Sequence, residues 1–278
     1  MTITQLLQYG REQLENANIP NSMNEARYML EALLKADRNY LFMHETETVE
    51  DVLCEQYRQW VKKRSTHYPM QYIIGEQPFM DFTFYVDENV LIPRQDTEVL
   101  VEEAVKYLSQ DMQVLDLCCG SGCIGLSLGG LTGAHVTLAD ISEGAVAVTE
   151  KNAQRLGLQV KIILSDLFEK IEQKYDMIVS NPPYIRSDVI PSLMEEVREY
   201  EPMLALDGRE DGLYFYRRIV DEARKFLNED GYLLFEIGYD QGDDLRQIFV
   251  GAGYSEIQVL KDLAGLDRVV TARYAGSK

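Results

Sequence analysis

The sequence predicts a small helical front domain followed by an open, largely parallel α/β sheet, and three observations carry that reading. Residues 1–70 place apolar side chains at helical spacing with no strand pattern between them. From residue 113 onward, short β-rich runs alternate with helical ones, as strand–helix–strand units of a parallel sheet do. Two loops of unusual composition, at 116–122 and 181–184, each follow a predicted strand. That puts both at the carboxyl edge, where such sheets bind ligands.

The front helices come first. Ile3, Leu6, Leu7 and Leu14 mark one over 3–17; Ala26, Met29, Leu30, Leu33 and Leu34 mark a second, with Asn21 and Ser22 placed to cap it. A third, over 49–66, carries Val52, Leu53, Tyr57, Trp60 and Val61. Next, 71–75 and 82–86 are β-rich with turn residues between, which predicts a β-hairpin linker. A charged helix over 96–108 leads into strands at 113–117, 134–139, 160–164, 175–180, 231–237, 254–260 and 267–273. Helices fit at 122–129, 142–156, 211–228 and 241–251. The last two strands have no helix between them, so an antiparallel pair is expected there. The expected division is 1–70 helical, 71–90 hairpin linker and 91–278 sheet domain.

Charge excludes some function classes. The formal net charge is −19, of which residues 1–75 carry only −2, with 8 basic and 10 acidic side chains. The sheet domain therefore holds about −17 and repels phosphate backbones, so no direct nucleic-acid partner is expected. Residues 117–139 contain no Asp, Glu, Lys or Arg, long enough to span a bilayer. Six glycines and the flanking Asp116 and Asp140 argue instead for a buried strand, loop, helix and strand, and no membrane association is expected. The start lacks a basic region followed by an apolar run, so a cytoplasmic protein is expected. Of four cysteines, Cys118, Cys119 and Cys123 cluster, yet no second Cys-x-x-Cys pair accompanies them; free thiols and no metal are expected. His44, His67 and His135 are scattered without a nucleophile partner, which gives no support to a hydrolytic triad.

The first loop, Asp116-Leu117-Cys118-Cys119-Gly120-Ser121-Gly122, opens a predicted helix. Glycines there let a ligand approach the backbone. Gly120-Ser121-Gly122-Cys123-Ile124-Gly125 is also a dinucleotide-type string, with Asp140 twenty residues beyond Gly120 where a ribose-binding acid belongs. Asp116 speaks against that reading, because a carboxylate at the strand end repels pyrophosphate. It suits a ligand with an ammonium and a sulfonium, such as S-adenosylmethionine, with Asp140 on the ribose hydroxyls. At the end of the third sheet strand, Asp166 is placed to accept an adenine amino group and Leu167 to pack on the ring, unless Asp166 merely caps a helix.

The second loop, Asn181-Pro182-Pro183-Tyr184, carries the chemistry. Two prolines stiffen it and bias Asn181 and Pro182 to extended backbone. The Asn181 side-chain oxygen and the Pro182 carbonyl can accept both hydrogens of one NH₂ group, and Tyr184 offers a flat face to a planar conjugated group. Holding both hydrogens aims the nitrogen lone pair, and catalysis by placement suits a delocalised, weakly nucleophilic nitrogen.

These residues resemble the release-factor glutamine methyltransferases, the PrmC/HemK family, over nearly the whole chain. The likeness extends to Tyr68-Pro69-Met70-Gln71-Tyr72-Ile73-Ile74-Gly75, Ile92-Pro93-Arg94-Gln95-Asp96-Thr97-Glu98, Glu201-Pro202-Met203-Leu204-Ala205-Leu206, Phe235-Glu236-Ile237-Gly238 and Asp262-Leu263-Ala264-Gly265-Leu266-Asp267-Arg268. It implies a class I methyltransferase sheet of seven strands, the last antiparallel, behind a helical substrate-recognition domain. It implies S-adenosylmethionine as methyl donor, S-adenosylhomocysteine as product, and as substrate the glutamine of the Gly-Gly-Gln loop in bacterial class 1 peptide-release factors.

The site residues it implies are Cys118, Cys119, Gly120, Ser121, Gly122, Asp140, Asp166, Leu167 and Asn181 for the cofactor. For the substrate they are Asn181, Pro182, Pro183 and Tyr184, with Asn181, Pro182 and Tyr184 catalytic. The chain departs from the family at Cys118-Cys119, where Gly-Thr is usual, at Gln95, where Pro is usual, and at Leu167, where a larger aromatic is frequent. Cys118 therefore needs a backbone conformation that a residue with a Cβ tolerates. The same tetrapeptide serves methyltransferases acting on adenine or guanine amines, which is the alternative reading; a binding module that has lost activity is a third. The intact tetrapeptide argues against the third.

Overall fold

A computed structural model describes residues 1–276, which fall into two compact units, Met1–Glu76 with Met194–Tyr200, and Gln77–Leu193 with 201–276. The last two residues of the expected 91–278 domain lie outside the described residues.

The first unit is helical: α1 (Ile3–Asn16), α2 (Ser22–Leu34), α3 (Arg38–Met43), α4 (Asp51–Arg64) and α5 (Met70–Ile74), with the later segment Glu195–Tyr200. Thr2 starts α1 by a capping box, its hydroxyl accepting the Gln5 N–H while the Gln5 side chain accepts the Thr2 N–H. The apolar stripes read from the sequence meet here, with Leu6, Leu14, Met29, Leu30, Tyr57 and Val61 buried together. Gly10 makes room for Tyr57, whose hydroxyl would lie 2.2 Å from an added Cβ and donates to the Ala26 carbonyl at 2.9 Å. Arg64 is buried but not unpaired, since it meets Glu25 at 2.5 Å and Glu196 at 2.7 Å.

Two local expectations fail in this unit. Asn21 occupies the N-cap position of α2 but in a left-handed backbone, φ 53°, with no side-chain cap bond. Residues 71–75 are helical, not extended: Ile73 N–H donates to the Pro69 carbonyl, and Gly75, at φ 80°, stops the turn. The β-branched Ile73-Ile74 pair favours a strand locally, and the Pro–Gly bracket overrides it. The hairpin falls just after, as β1 (Glu76–Phe79) and β2 (Phe82–Tyr85).

The second unit continues with α6 (Glu98–Val105), β3 (Gln113–Leu117), α7 (Cys123–Thr132), β4 (His135–Asp140), α8 (Glu143–Leu156), β5 (Lys161–Leu164) and β6 (Tyr175–Ser180). After α9, the Glu195–Tyr200 helix of the first unit, come α10 (Met203–Leu206), α11 (Tyr214–Ala223), β7 (Leu227–Glu236), α12 (Gly242–Gly251), β8 (Ser255–Lys261) and β9 (Asp267–Arg273). Strand β7 starts four residues earlier than expected and cuts the predicted 211–228 helix short. Among the described residues the sheet has seven strands in the order β5-β4-β3-β6-β7-β9-β8. β9 runs antiparallel to both neighbours, and the other adjacent pairs are parallel. The class I methyltransferase sheet implied by the resemblance is therefore the sheet observed.

Alternate side chains divide between two cores. Leu115, Leu117, Ile178, Leu233 and Phe235 enter one cluster, while Val114, Met177, Val179 and Leu234 enter the other. Helices cover both faces, as a buried parallel sheet requires. Register then sets the site: Leu117 pairs with Ala139 and Ser180, and Asp140 pairs with Leu164. The loops after β3, β4, β5 and β6 consequently leave the sheet side by side.

Candidate active site

The four loops surround one cavity of about 280 Å³, near the lower end of small-molecule sites. Cys118, Cys119, Gly120 and Ser121 line it from the first loop, Asp140 from the second, Asp166 and Leu167 from the third, and Asn181 and Pro183 from the fourth. Nine of the residues read from the sequence thus share one cavity, and three do not line it. Gly122 is packed behind it, where an added Cβ would stand 2.9 Å from Thr149 Cγ2. Pro182 is buried, and the ring of Tyr184 packs against the core cluster of Leu117 and Tyr216.

The first loop is a cradle. A Cβ on Gly120 would meet no heavy atom within 4 Å, and the Gly120 N–H donates to Asp140 Oδ2 at 2.9 Å. The other Asp140 oxygen accepts the Ser142 N–H at 2.9 Å. Burial raises the Asp140 pKa above the usual carboxylate value, and these two N–H groups pull it back. Cys118 has φ 57° and Leu167 φ 46°. These two of the departures from the family pattern thus sit in the left-handed region that glycine occupies freely, at a cost of about 1–2 kcal/mol each.

All three thiols of the cluster line the cavity and all are free. Burial drives their pKa values up, to about 12 for Cys123, so they are protonated thiols. Among the described residues no group of three His, Cys, Asp or Glu side chains is placed to hold a metal ion.

Asp116 departs from its expected task. It is fully buried and does not line the cavity; its Oδ2 accepts the Gly125 N–H at 2.8 Å in the first turn of α7. Gly122 provides no side-chain cap, so this carboxyl does. Its Oδ1 is buried without a partner. Burial pushes its pKa up to about 8; the Gly125 N–H opposes this and nearby Asp140 adds to it. A neutral or half-neutral acid behind the loop is not the counter-ion for an ammonium.

The fourth loop is pinned from behind. The Tyr184 hydroxyl donates to Glu236 Oε1 at 3.1 Å, and the Tyr184 carbonyl accepts from Gln241 Nε2 at 3.1 Å. Ile185 N–H donates to Leu206, and Gly208 N–H donates back to Ile185. An added Cβ at Gly208 would lie 2.7 Å from the Tyr184 backbone, so only glycine allows that approach. Ser180 ties the preceding strand end to β3 through a 2.7 Å bond to the Leu117 carbonyl.

Sequence reasoning missed part of the wall. Asn89, Val90, Leu91, Pro93 and Arg94 line one side, and Tyr214, Phe215 and Arg218 another. Arg218 pairs with Asp166 at 3.1 Å, giving that carboxylate a partner besides any ligand. Periodicity gave no signal for the 89–94 segment, which is irregular backbone. The side chains at 214–218 read simply as one turn of an amphipathic helix.

Solved structures share the fold. A methyltransferase from Pyrococcus furiosus superposes with a TM-score of 0.54 at 16% identity, covering 70% of this chain and 89% of that one. A 16S rRNA methyltransferase from T. thermophilus, solved with AdoMet and guanosine, gives 0.52 at 18% identity, covering 71% and 49%. Residues 94–199 match the methyltransferase small domain family and residues 5–75 the PrmC N-terminal domain family. Together these define a methyltransferase of the S-adenosylmethionine-dependent class.

The chain belongs to the release factor glutamine methyltransferase family. It is 41% identical to the release factor glutamine methyltransferase of Clostridium acetobutylicum, covering 95% of each chain. The Clostridium botulinum protein of that name is 39% identical, covering 98% of this chain and 99% of its own. The Geobacter sulfurreducens protein is 40% identical, covering 98% and 96%.

Proposed function

We infer that this protein transfers a methyl group from S-adenosylmethionine to the side-chain amide nitrogen of a glutamine in a peptide chain release factor. One observation carries the reading: Asn181 lines the same cavity as Gly120 and Asp140, so an amide acceptor and a nucleoside cradle share one space. The resemblance narrows the substrate to the Gly-Gly-Gln loop of bacterial class 1 release factors.

The chain's own residues fit the cofactor. The open face of Gly120 admits a ligand against the backbone, Asp140 presents a carboxylate for ribose hydroxyls, and Leu167 offers an apolar wall for a purine. Cys118, Cys119, Ser121 and Asp166 complete that lining, with Gly122 supporting it from behind. Bound there, S-adenosylmethionine supplies an electrophilic methyl group, and S-adenosylhomocysteine is the product. No metal is assigned a part.

On the substrate side, the Asn181 side-chain oxygen and the Pro182 carbonyl accept the two amide hydrogens. Pro183 lines the cavity beside them, and Tyr184 acts by bracing the loop through Glu236. Placement of the nitrogen, with acceptors ready for the charge it gains, supplies the catalysis.

The helical residues 1–70 recognise the release factor, 71–90 link, and 91–278 carry the methyl transfer. Among the described residues no helix is long and apolar enough to cross a membrane, and the free thiols suit a reducing cytoplasm. The test is radiolabelled methyl transfer from S-adenosylmethionine to a purified release factor, beside DNA and RNA. Label in the release factor glutamine supports the reading; label in nucleic acid alone overturns it in favour of an adenine or guanine amine methyltransferase.

A further inference from the structure

Two polar side chains behind the cavity are fully buried, and neither lines it. Thr149 and Asn152 lie three residues apart on α8, on the same face. The Thr149 hydroxyl donates to the Gly120 carbonyl at 2.8 Å, and Asn152 Nδ2 donates to the Ser121 carbonyl at 2.9 Å. One helix face thus holds two successive carbonyls of the glycine loop.

Asn152 does more. Its Nδ2 also donates to the Tyr85 carbonyl at 3.0 Å, and its Oδ1 accepts the Tyr85 N–H at 2.6 Å. Tyr85 ends β2, and the chain beyond it supplies Asn89, Val90, Leu91, Pro93 and Arg94 to the opposite wall. A second contact fixes that wall to α8, since the Asn89 side chain fills the space where Gly144 lacks a Cβ, its Oδ1 2.5 Å from where an added Cβ would stand. Both amino hydrogens and the oxygen of the Asn152 amide are therefore engaged in joining two walls of the cavity.

We propose that Thr149 and Asn152 are positioning residues for the cofactor, a clamp on α8 that keeps the glycine-loop carbonyls turned away from the cavity and holds its two walls in register. The proposal rests on the cavity being the S-adenosylmethionine site. A carbonyl bonded to α8 cannot rotate toward a bound ligand, and the Gly120 cradle stays open. Without the clamp the loop has alternative peptide orientations, and ordering it is charged against cofactor binding. The hydrogen bonds of both residues run to Cys119, Gly120, Ser121 and Tyr85 and not to the substrate loop at Asn181, so the loss falls on cofactor affinity rather than on turnover.

Thr149 allows a clean separation of bonding from packing. Its methyl group supports Gly122, and its hydroxyl holds Gly120. Thr149→Val keeps the methyl and loses the hydroxyl; Thr149→Ser does the reverse. Asn152→Asp keeps the shape and the acceptor for Tyr85 but sets a carboxylate against two carbonyls.

The experiment measures S-adenosylhomocysteine affinity by calorimetry, steady-state KM for S-adenosylmethionine and kcat on the release factor, and thermal midpoints. Asp140→Ala serves as a control for the site itself. Thr149→Val and Asn152→Asp are expected to weaken cofactor binding about tenfold, the size of one buried hydrogen bond, with kcat within about threefold. Thr149→Ser is expected to bind like the unmodified protein. Retained affinity in Thr149→Val and Asn152→Asp overturns the proposal, as does Thr149→Ser binding as weakly as Thr149→Val. A fall in kcat at constant KM also overturns it. Unchanged binding in Asp140→Ala overturns the cofactor reading of the cavity instead. If Asn152→Asp does not fold, the Val and Ser pair decides alone.

Discussion

The Tyr184 hydroxyl donates a hydrogen bond to Glu236 at the end of β7, 3.1 Å away, and both groups are withdrawn from solvent. Burial, reinforced by the Glu236 charge, lifts the phenol far above its ordinary pKa, so Tyr184 is a neutral donor throughout the physiological range. The last residue of the substrate tetrapeptide is thereby anchored to the neighbouring strand, and the preceding three hang from a fixed end. Tyr184→Phe leaves the carboxylate without that donor and is expected to lower stability by about 1–3 kcal/mol. Chemical denaturation checks it, and an unchanged midpoint refutes the anchoring role.

Asn181→Ala removes the side-chain acceptor from the cavity while leaving the cradle at Gly120 and Asp140 intact. Methyl transfer is expected to fall about 100-fold or more, with S-adenosylhomocysteine affinity changed little. Single-turnover kinetics beside calorimetry separates the two quantities. Normal turnover by this variant removes Asn181 from the mechanism.

Asp116 gives the protein a pH signature. Burial pushes its carboxyl up to about 8 in the folded state, against about 3.9 for an aspartate in an unfolded chain, so the folded protein retains a proton that the unfolded chain releases. Stability from this group is full below the unfolded value and is lost as pH rises through the folded one. Asp116→Asn cannot titrate and is expected to lack that decline between about pH 4 and 8. Denaturation midpoints across the range test it, and parallel profiles for the two proteins contradict the assignment.

Removing residues 1–70 is expected to leave cofactor affinity within about threefold, since every cavity-lining residue lies beyond residue 88, and to abolish methylation of the release factor. Calorimetry and label transfer on the truncated chain distinguish these effects. Full activity on the intact release factor refutes the recognition role of the front helices.

The legible part of the molecule was whatever repeats or punctuates. Apolar periodicity located all seven sheet strands within a few residues, and the position of each loop after a strand put Gly120, Asp140, Asp166 and Asn181 at one edge. The errors share a cause: a bracketing residue or a partner elsewhere, not the local propensity, decided each one. Ile73-Ile74 favours a strand until Pro69 and Gly75 bracket them. Asp116 reads as a ligand until the Gly125 N–H takes its oxygen, and Tyr184 reads as an open stacking face until Glu236, 52 residues later, takes its hydroxyl. The 89–94 wall and the short helices between 190 and 206 lacked any period long enough to read.

The thiols in the cavity have one further consequence. A sulfonium methyl donor alkylates sulfur more readily than it alkylates an amide, and Cys118, Cys119 and Cys123 all border the cavity. The thiolate is the reactive form, and burial, with the Asp116 carboxyl nearby, withholds it from each of them. A methyl donor bound in this cavity would therefore meet protonated thiols, and the expected outcome is that the weaker nucleophile, the substrate amide, is the one that reacts.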